Sequence, residues 1–424
     1  MGFDPKAKRL RCMGHIFNLI AERYLYGQDV TKFEEQYSKA GAPERRKLWR
    51  ERNEVGKLHN LVAHVMASGK RTELFEALQS TVNVGIAEGK RWKLVLDGGI
   101  RWNSTYSMIR RAIELQDALD IYALKLQKSG DAFDQETYDN DYLSKQEWKA
   151  LKIIKDQLEP LFLLTKCLEG NADLKDGACK ASHGSLWETL PVLEEVLDHF
   201  EGLEKRSKNG DFDDHPGIQN SITEAWHKTK EYYAKTDTSI AWVAALTLHP
   251  RFKFEYFEKG WSDTPRFVTT ARTKLKKLWT DEYRPEMGRV EQSPDPEPVK
   301  ISYLESVLNR RAGTSLQIPV PSGRKDELDL YLKEPPKADQ GVMEYWRAHE
   351  YAWPNLTRMA FDFLAIPAMS SECERVFSSC AKETTPESSR LSGPMLWHQE
   401  CLKNWQARGA ISIQRAWNGT VLDI

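Results

Sequence analysis

The chain has 424 residues, with 61 basic and 62 acidic side chains, a formal charge of −1 and a mean hydropathy of −0.60. The balanced charge excludes a uniformly basic nucleic-acid coat, and the 40% hydrophobic share excludes a disordered tail. That length leaves room for two or three folded units, and no apolar run approaches the roughly 18 residues of a membrane span, so no membrane partner is expected.

From the start, MGFDPKAKRLRC contains no apolar h-region, which reads as no secretory signal. Residues 9–26 bring Leu10 to Cys12, read as the end of a strand, into an amphipathic helix. Glu44 to Arg52 is a mixed-charge helix, read mainly as a solvated face, with DNA contact as the lesser alternative. Residues 55–79 place Leu58, Leu61, Val62, Val65 and Met66 at helical spacing. WKLVLD at 92–97 is the best strand candidate. Asn103 or Ser104 then caps a helix predicted to run through Met108, Ile109, Ala112, Leu115, Leu119 and Tyr122. Ser144-x-x-Glu147 is a capping box opening a helix with Trp148, Leu151, Ile154 and Leu158 on one face, and Pro160 is expected to bend or end it.

Further helices are predicted at 185–206, 217–235, 238–247 and 265–283. The stretch 284–325 holds six prolines among polar residues and reads as a flexible linker. Beyond it, 326–408 is dense in Trp, Leu and Met, and 409–424 is a tail. The six cysteines form no CxxC pair and are expected to be reduced thiols.

Several constellations deserve a chemical reading. Cys12-x-x-His15 has the spacing of half a zinc site but lacks a second pair, so the plainer reading is a structural thiol and a hydrogen-bonded histidine. Arg101-Trp102-Asn103-Ser104 follows Asp97-Gly98-Gly99 at a helix start. Such a pair can stack on an unpaired base while Arg and helix N–H groups hold phosphate. From composition alone the favoured reading is the plainer one, Trp102 as the apolar anchor of that helix start with Asn103 or Ser104 as its cap. In SSECERVFSSCAK (370–382), Glu372 and Glu374 lie about 200° apart on a helix and cannot act as a paired acid and base. No phosphate loop, nucleophile elbow or H-E-x-x-H is present.

Taken together, these segments resemble the hAT superfamily of DNA transposases, particularly its fungal members. The blocks that carry the likeness are RCMGHIFNLI (11–20) with Cys12, His15 and Asn18, VGKLHNLVAHVMASGKR (55–71), and DGGIRWNSTYSMIRRAIEL (97–115). LTLHPRFKFEYFEKGW (246–261) follows, then the C-terminal dimerisation block with ELDLYL (327–332), residues 345–378, and RLSG through Trp405. Ile100 stands where the third block usually has Thr.

The resemblance implies an RNase H-like core carrying a large helical insertion, and a mostly α chain here. Residues 1–26 would be the remnant of that core with its last strand, 27–283 the helical insertion domain, and 326–408 the dimerisation domain with the helix of the catalytic glutamate. Glu374 falls on that glutamate, with Cys373 where Ser is common. Arg101, Trp102 and Asn103 fall on the DNA-binding block. Such transposases use two Asp and one Glu to hold two divalent cations. Both aspartates lie N-terminal to the Cys-x-x-His block in the family, and only eleven residues precede Cys12 in this sequence.

The expectation is therefore a truncated or domesticated hAT relative, nuclear, inactive alone, with no cofactor of its own and Mg²⁺ only if the missing aspartates are supplied. Its expected partners are a second copy of itself, hAT relatives and DNA. The alternatives are a subunit of an active transposase completed in trans or by a missing N-terminus, and a purely structural interaction protein.

Overall fold

Amphipathic periodicity explains why the first helix forms where it does. In α1 (Met13–Tyr26) the buried residues Met13, Ile16, Phe17, Ile20, Ala21 and Tyr24 fall on one stripe, and Gly27 ends the helix with φ +67°, a conformation a side chain would disfavour. The computed structural model describes residues 9–28, 30–82, 92–98, 102–169, 184–284, 326–337, 341–383 and 392–407. The expected linker beyond 284, the tail 409–424 and Arg101 lie outside them.

After α1 come α2 (Val30–Lys39), α3 (Ala42–Arg50), α4 (Asn53–Met66), α5 (Gly69–Val82), α6 (Trp102–Glu114), α7 (Gln116–Leu126), α8 (Ala132–Asp141) and α9 (Lys145–Leu168). The chain continues with α10 (Leu186–Lys208), α11 (Pro216–Ala234), a 3₁₀ turn (Lys235–Thr238), α12 (Ala241–Thr247), α13 (Glu255–Gly260) and α14 (Pro265–Leu278), which ends in a π turn (Trp279–Tyr283). Then follow α15 (Glu327–Lys333), α16 (Val342–His349), α17 (Pro354–Leu364), α18 (Ser371–Glu383) and α19 (Gly393–Ala407). The fold is mostly α, and β pairing among the described residues is confined to an isolated bridge between Ser185 and Pro367.

Two compact units result, Met1–Ala368 and Met369–Ile424. In the first, α1 packs on α9 and α11, α4 on α3 and α8, and α6 on α9. A second core in the same unit joins Leu248, Phe254, Phe257 and Leu275 to Tyr331, Tyr345, Trp346, Leu356 and Met359. The 246–261 segment is the seam. Tyr331 donates its hydroxyl to the Thr247 carbonyl at 2.9 Å, Trp346 its indole N–H to that of Leu248 at 2.8 Å, and Lys337 its backbone N–H to that of Pro250 at 3.0 Å. Lys253, held at φ +52°, sends Nζ to the carbonyls of Tyr331 (2.7 Å) and Glu334 (2.9 Å), closing the end of α15. In the second unit, α18 and α19 pack on each other, and Ser379 donates to Glu400 at 2.7 Å.

The capping box at the head of α9 is present, with the Glu147 N–H donating to Ser144 Oγ at 3.3 Å and the Ser144 N–H to Glu147 Oε2 at 2.7 Å. Other expectations need correcting. Pro160 does not end α9; the helix continues to Leu168, because Leu158 and Leu161 on either side are fully buried and packing outweighs one lost backbone bond. The helix predicted through Tyr122 breaks at Leu115 (φ −114°, ψ 19°) into α6 and α7, and the 55–79 segment divides between α4 and α5.

WKLVLD forms no strand and pairs with none among the described residues. Instead the Gln79 amide accepts the Trp92 N–H at 3.0 Å and donates to its carbonyl at 2.8 Å, while Arg111 donates to the Lys93 carbonyl at 3.1 Å. Side chains thus satisfy backbone groups that a neighbouring strand would otherwise take. Residues 9–12 likewise form no strand. Cys167 is disulfide-bonded, not a reduced thiol, with its partner outside the described residues.

Candidate functional site

The start of α6 and the middle of α1 come together. Asn18 Oδ1 accepts the backbone N–H of Trp102 at 3.4 Å, and Asn18 Nδ2 donates to Glu22 at 2.7 Å. Asn18 therefore serves a helix start whose first N–H groups have no partner within the helix. Trp102 is only 3% exposed, edge-on to Tyr106 and Phe162 at 6.2 and 6.4 Å. Its ring anchors α6 in the core and offers no face to a base, so stacking on DNA is not what this geometry provides. Asn103 is half-buried, and its Oδ1 has no hydrogen-bond partner among the described residues.

Beneath this helix start lies a residue that motif reading passed over. Asp97 is buried, and its two carboxylate oxygens accept the hydroxyls of Ser104 and Thr105, each at 2.6 Å. The Thr105 hydroxyl also shares a hydrogen bond with the Tyr26 hydroxyl at 2.8 Å. Arg52 lies over the Tyr26 and Phe33 rings, at 3.7 and 3.3 Å, and burial lowers its pKa against the attraction of Asp97. The signal was present as an acid seven residues before a Ser-Thr pair at a helix start, the spacing of a short loop folded back onto its own cap.

The second block is structural as well. A Cβ on Gly56 would lie 1.6 Å from the Trp49 carbonyl oxygen, His59 stacks on Trp49 at 3.8 Å, and Asn60 Nδ2 reaches Asp141 at 3.0 Å. Arg46 and Arg50 of the mixed-charge helix are spent on Glu136 and Asp141, at distances from 2.7 to 3.2 Å. That helix buries Trp49 while Glu44, Arg45 and Lys47 stay exposed, so it is largely the solvated face the sequence suggested, with Arg46 and Arg50 engaged by acids.

Cys12 precedes α1, whose first N–H, from Met13, donates to the Ala368 carbonyl at 3.1 Å. His15 is exposed. No group of three or more His, Cys, Asp or Glu side chains able to hold a metal occurs among the described residues.

Glu374 lies in the first turns of α18, half-buried, and accepts from the Ser370 hydroxyl at 3.2 Å. Two divalent cations need several converging carboxylates. The described residues do not fit such a centre, and no step through one is derived. Around Glu374 the second unit presents Phe377, Met395, Trp397, Leu402 and Trp405, with Phe377 70% and Trp397 63% exposed. By contrast Tyr331, Tyr345, Trp346, Leu356 and Met359 are fully enclosed within their own chain.

Comparison with known proteins agrees with the blocks read from the sequence. Residues 10–157 match the ZBED1 RNase-like helical domain, and residues 327–406 match the hAT family C-terminal dimerisation region. The zinc finger BED domain-containing protein DAYSLEEPER of Arabidopsis thaliana is 23% identical over 74% of this chain and 41% of its own length. The putative transcriptional regulator tpeD of Talaromyces stipitatus is 24% identical over 87% of this chain and 38% of its own. The putative AC transposase of Zea mays is 24% identical over 73% and 36%. The chain spans about two fifths of the length of the curated relatives it matches. With its helical first part and its C-terminal block both matched, the chain carries the hAT family's C-terminal dimerisation region and is a relative of hAT transposases and BED-type zinc-finger proteins.

Proposed function

We propose that this chain is a nuclear, transposase-derived module that works by self-association and performs no DNA strand transfer by itself. The observation that carries the reading is the cluster of exposed apolar side chains on α18 and α19 inside the segment matched as a dimerisation region. Large aromatic residues left to solvent in such numbers mark an interaction surface. The occupant is a second copy of this chain, since that is the partner the matched region is named for. Interfaces of this kind are apolar and commonly bury more than about 2,000 Å².

The test uses the full chain. Light scattering on the parent protein, well above a micromolar Kd, is expected to give a dimer or larger species. A Trp397→Ser, Trp405→Ser double variant should lower that mass while leaving the melting temperature near the parent's, because neither residue belongs to a buried core. A parent chain that stays monomeric overturns the proposal.

Inactivity rests on chemistry: the resemblance assigns one carboxylate, Glu374, where three are needed. The alternative, a subunit of an active DDE-type transposase completed by a longer hAT relative, is favoured by the same glutamate. Metal-dependent cleavage that appears only on mixing with such a relative and disappears in Glu374→Gln supports it. DNA contact is a further part of the reading, supported by the transposase and BED zinc-finger relatives. Arg101 and Asn103 carry it, with Trp102 anchoring α6, the helix that begins at Trp102.

A further inference from the structure

We infer that the cavity between α12 and α14 is a binding site for a nucleobase carrying a phosphate. It encloses about 380 Å³, within the roughly 300–1,000 Å³ typical of small-ligand sites. Its lining joins the apolar Ile240, Trp261 and Phe267 to Arg266, Thr270 and Lys274. The last three are spaced four apart, so they share one face of α14. An aromatic-lined cavity edged by cations is complementary to an aromatic ring joined to an anion.

Two details show that the site is built and not a packing defect. Trp261 is held in place: its Nε1–H donates to Glu194 at 2.8 Å, and the same carboxylate accepts the hydroxyls of Tyr233 and Tyr256. That pinned ring stands edge-on to Phe257 at 4.8 Å, giving the cavity a fixed aromatic wall. At the mouth, Phe267 is 50% exposed, whereas Trp242 in the same lining is buried.

The charge is equally one-sided. The sequence of α14, PRFVTTARTKLKKL, has five basic residues and no acid. Arg272 is engaged by Glu258, and Lys276 by Asp329 at 3.1 Å. Arg266 makes no ion pair among the described residues and remains exposed beside the cavity.

The ligand has two sources, a free nucleotide or an unpaired position in a DNA strand. Only the second source rests on the DNA-contact reading above; the site stands on its own lining. The experiment measures binding of fluorescein-labelled duplex with a single-stranded overhang, of the blunt duplex, and of AMP, to the full chain. Overhang DNA should bind more tightly than blunt duplex, or AMP should bind saturably. Arg266→Glu should weaken whichever ligand binds by about tenfold or more, and Phe267→Ala should remove the overhang preference or weaken AMP comparably. Unchanged melting temperatures for both variants separate loss of the site from loss of the fold. AMP binding without DNA binding upholds the site while defeating the DNA-contact reading. Competition by AMP against overhang DNA assigns both sources to this one cavity. If the parent binds neither ligand, or if both variants bind as the parent does, the inference is overturned.

Discussion

The indole N–H of Trp346 donates to the Leu248 carbonyl at 2.8 Å, a bond between residues 98 apart in the chain. Trp346 is fully buried, and around it Tyr331, Tyr345 and Trp353 form a continuous aromatic cluster with ring centroids 5.0 to 6.5 Å apart. The region matched for dimerisation thus begins as part of the chain's own core. Trp346→Ala should cost about 3–5 kcal/mol, and Trp346→Phe about 1–3 kcal/mol through the unmet Leu248 carbonyl. Removing residues 326–424 should give insoluble protein, not a folded monomer. Denaturant midpoints and soluble yield read both outcomes.

Gly56 tests the packing of α3 on α4. A methyl group there would meet backbone, the Trp49 carbonyl oxygen at 1.6 Å, so the two helices must move apart. Gly56→Ala should destabilise the fold by about 3 kcal/mol or more, the upper end of overpacking costs. Gly202 lies inside α10 with nothing within 4 Å of its added Cβ, so Gly202→Ala should stabilise by about 0.5–1 kcal/mol. Opposite signs in paired thermal melts are the expected result.

Asp141 has no exposed side-chain surface and accepts Arg50 Nε at 2.8 Å, Arg50 Nη2 at 2.7 Å and Asn60 Nδ2 at 3.0 Å. Asp141→Ala leaves Arg50 with only Glu136 at 3.2 Å. Breaking a buried pair from one side costs about 3–5 kcal/mol, and the remaining partner places this case near the lower figure. A chemical denaturation series with Asp141→Asn as the shape-preserving control measures it.

Acid should weaken the fold through two histidines. Burial holds His59 down to about 4, and burial together with Arg251 holds His249 down to about 4. The unfolded imidazoles titrate near 6.5. Between pH 6.5 and 4 the unfolded chain therefore takes up protons that the folded chain refuses. Stability is complete above pH 6.5 and falls on acidification, by roughly 2–3 kcal/mol for each histidine at pH 4. His249→Gln should flatten the stability–pH slope across that window, and an unchanged slope would count against it.

The isolated chain is expected to leave plasmid DNA intact in Mg²⁺ or Mn²⁺, since Glu374 alone cannot hold the two cations such chemistry uses. A gel-based nicking assay decides it: nicking that vanishes in Glu374→Gln would contradict the expectation.

What the sequence determined by itself is local. The stripe of α1 and the Ser144–Glu147 box are set within a few residues, and each stands where it was read. The family likeness was legible for the same reason, since its blocks are short runs of fixed spacing. Tertiary structure decided whatever depends on distant partners. Pro160 stays within α9 because its neighbours are buried, and residues 92–97 form no strand, the Trp92 backbone taking both its hydrogen bonds from the Gln79 side chain. Trp102 turned inward because Asn18 and Phe162 receive it, while Trp397 and Trp405 stayed outside. An aromatic residue reads the same in sequence whether it fills a core or faces solvent; burial is fixed by which other residues the chain brings to it, often about a hundred positions away.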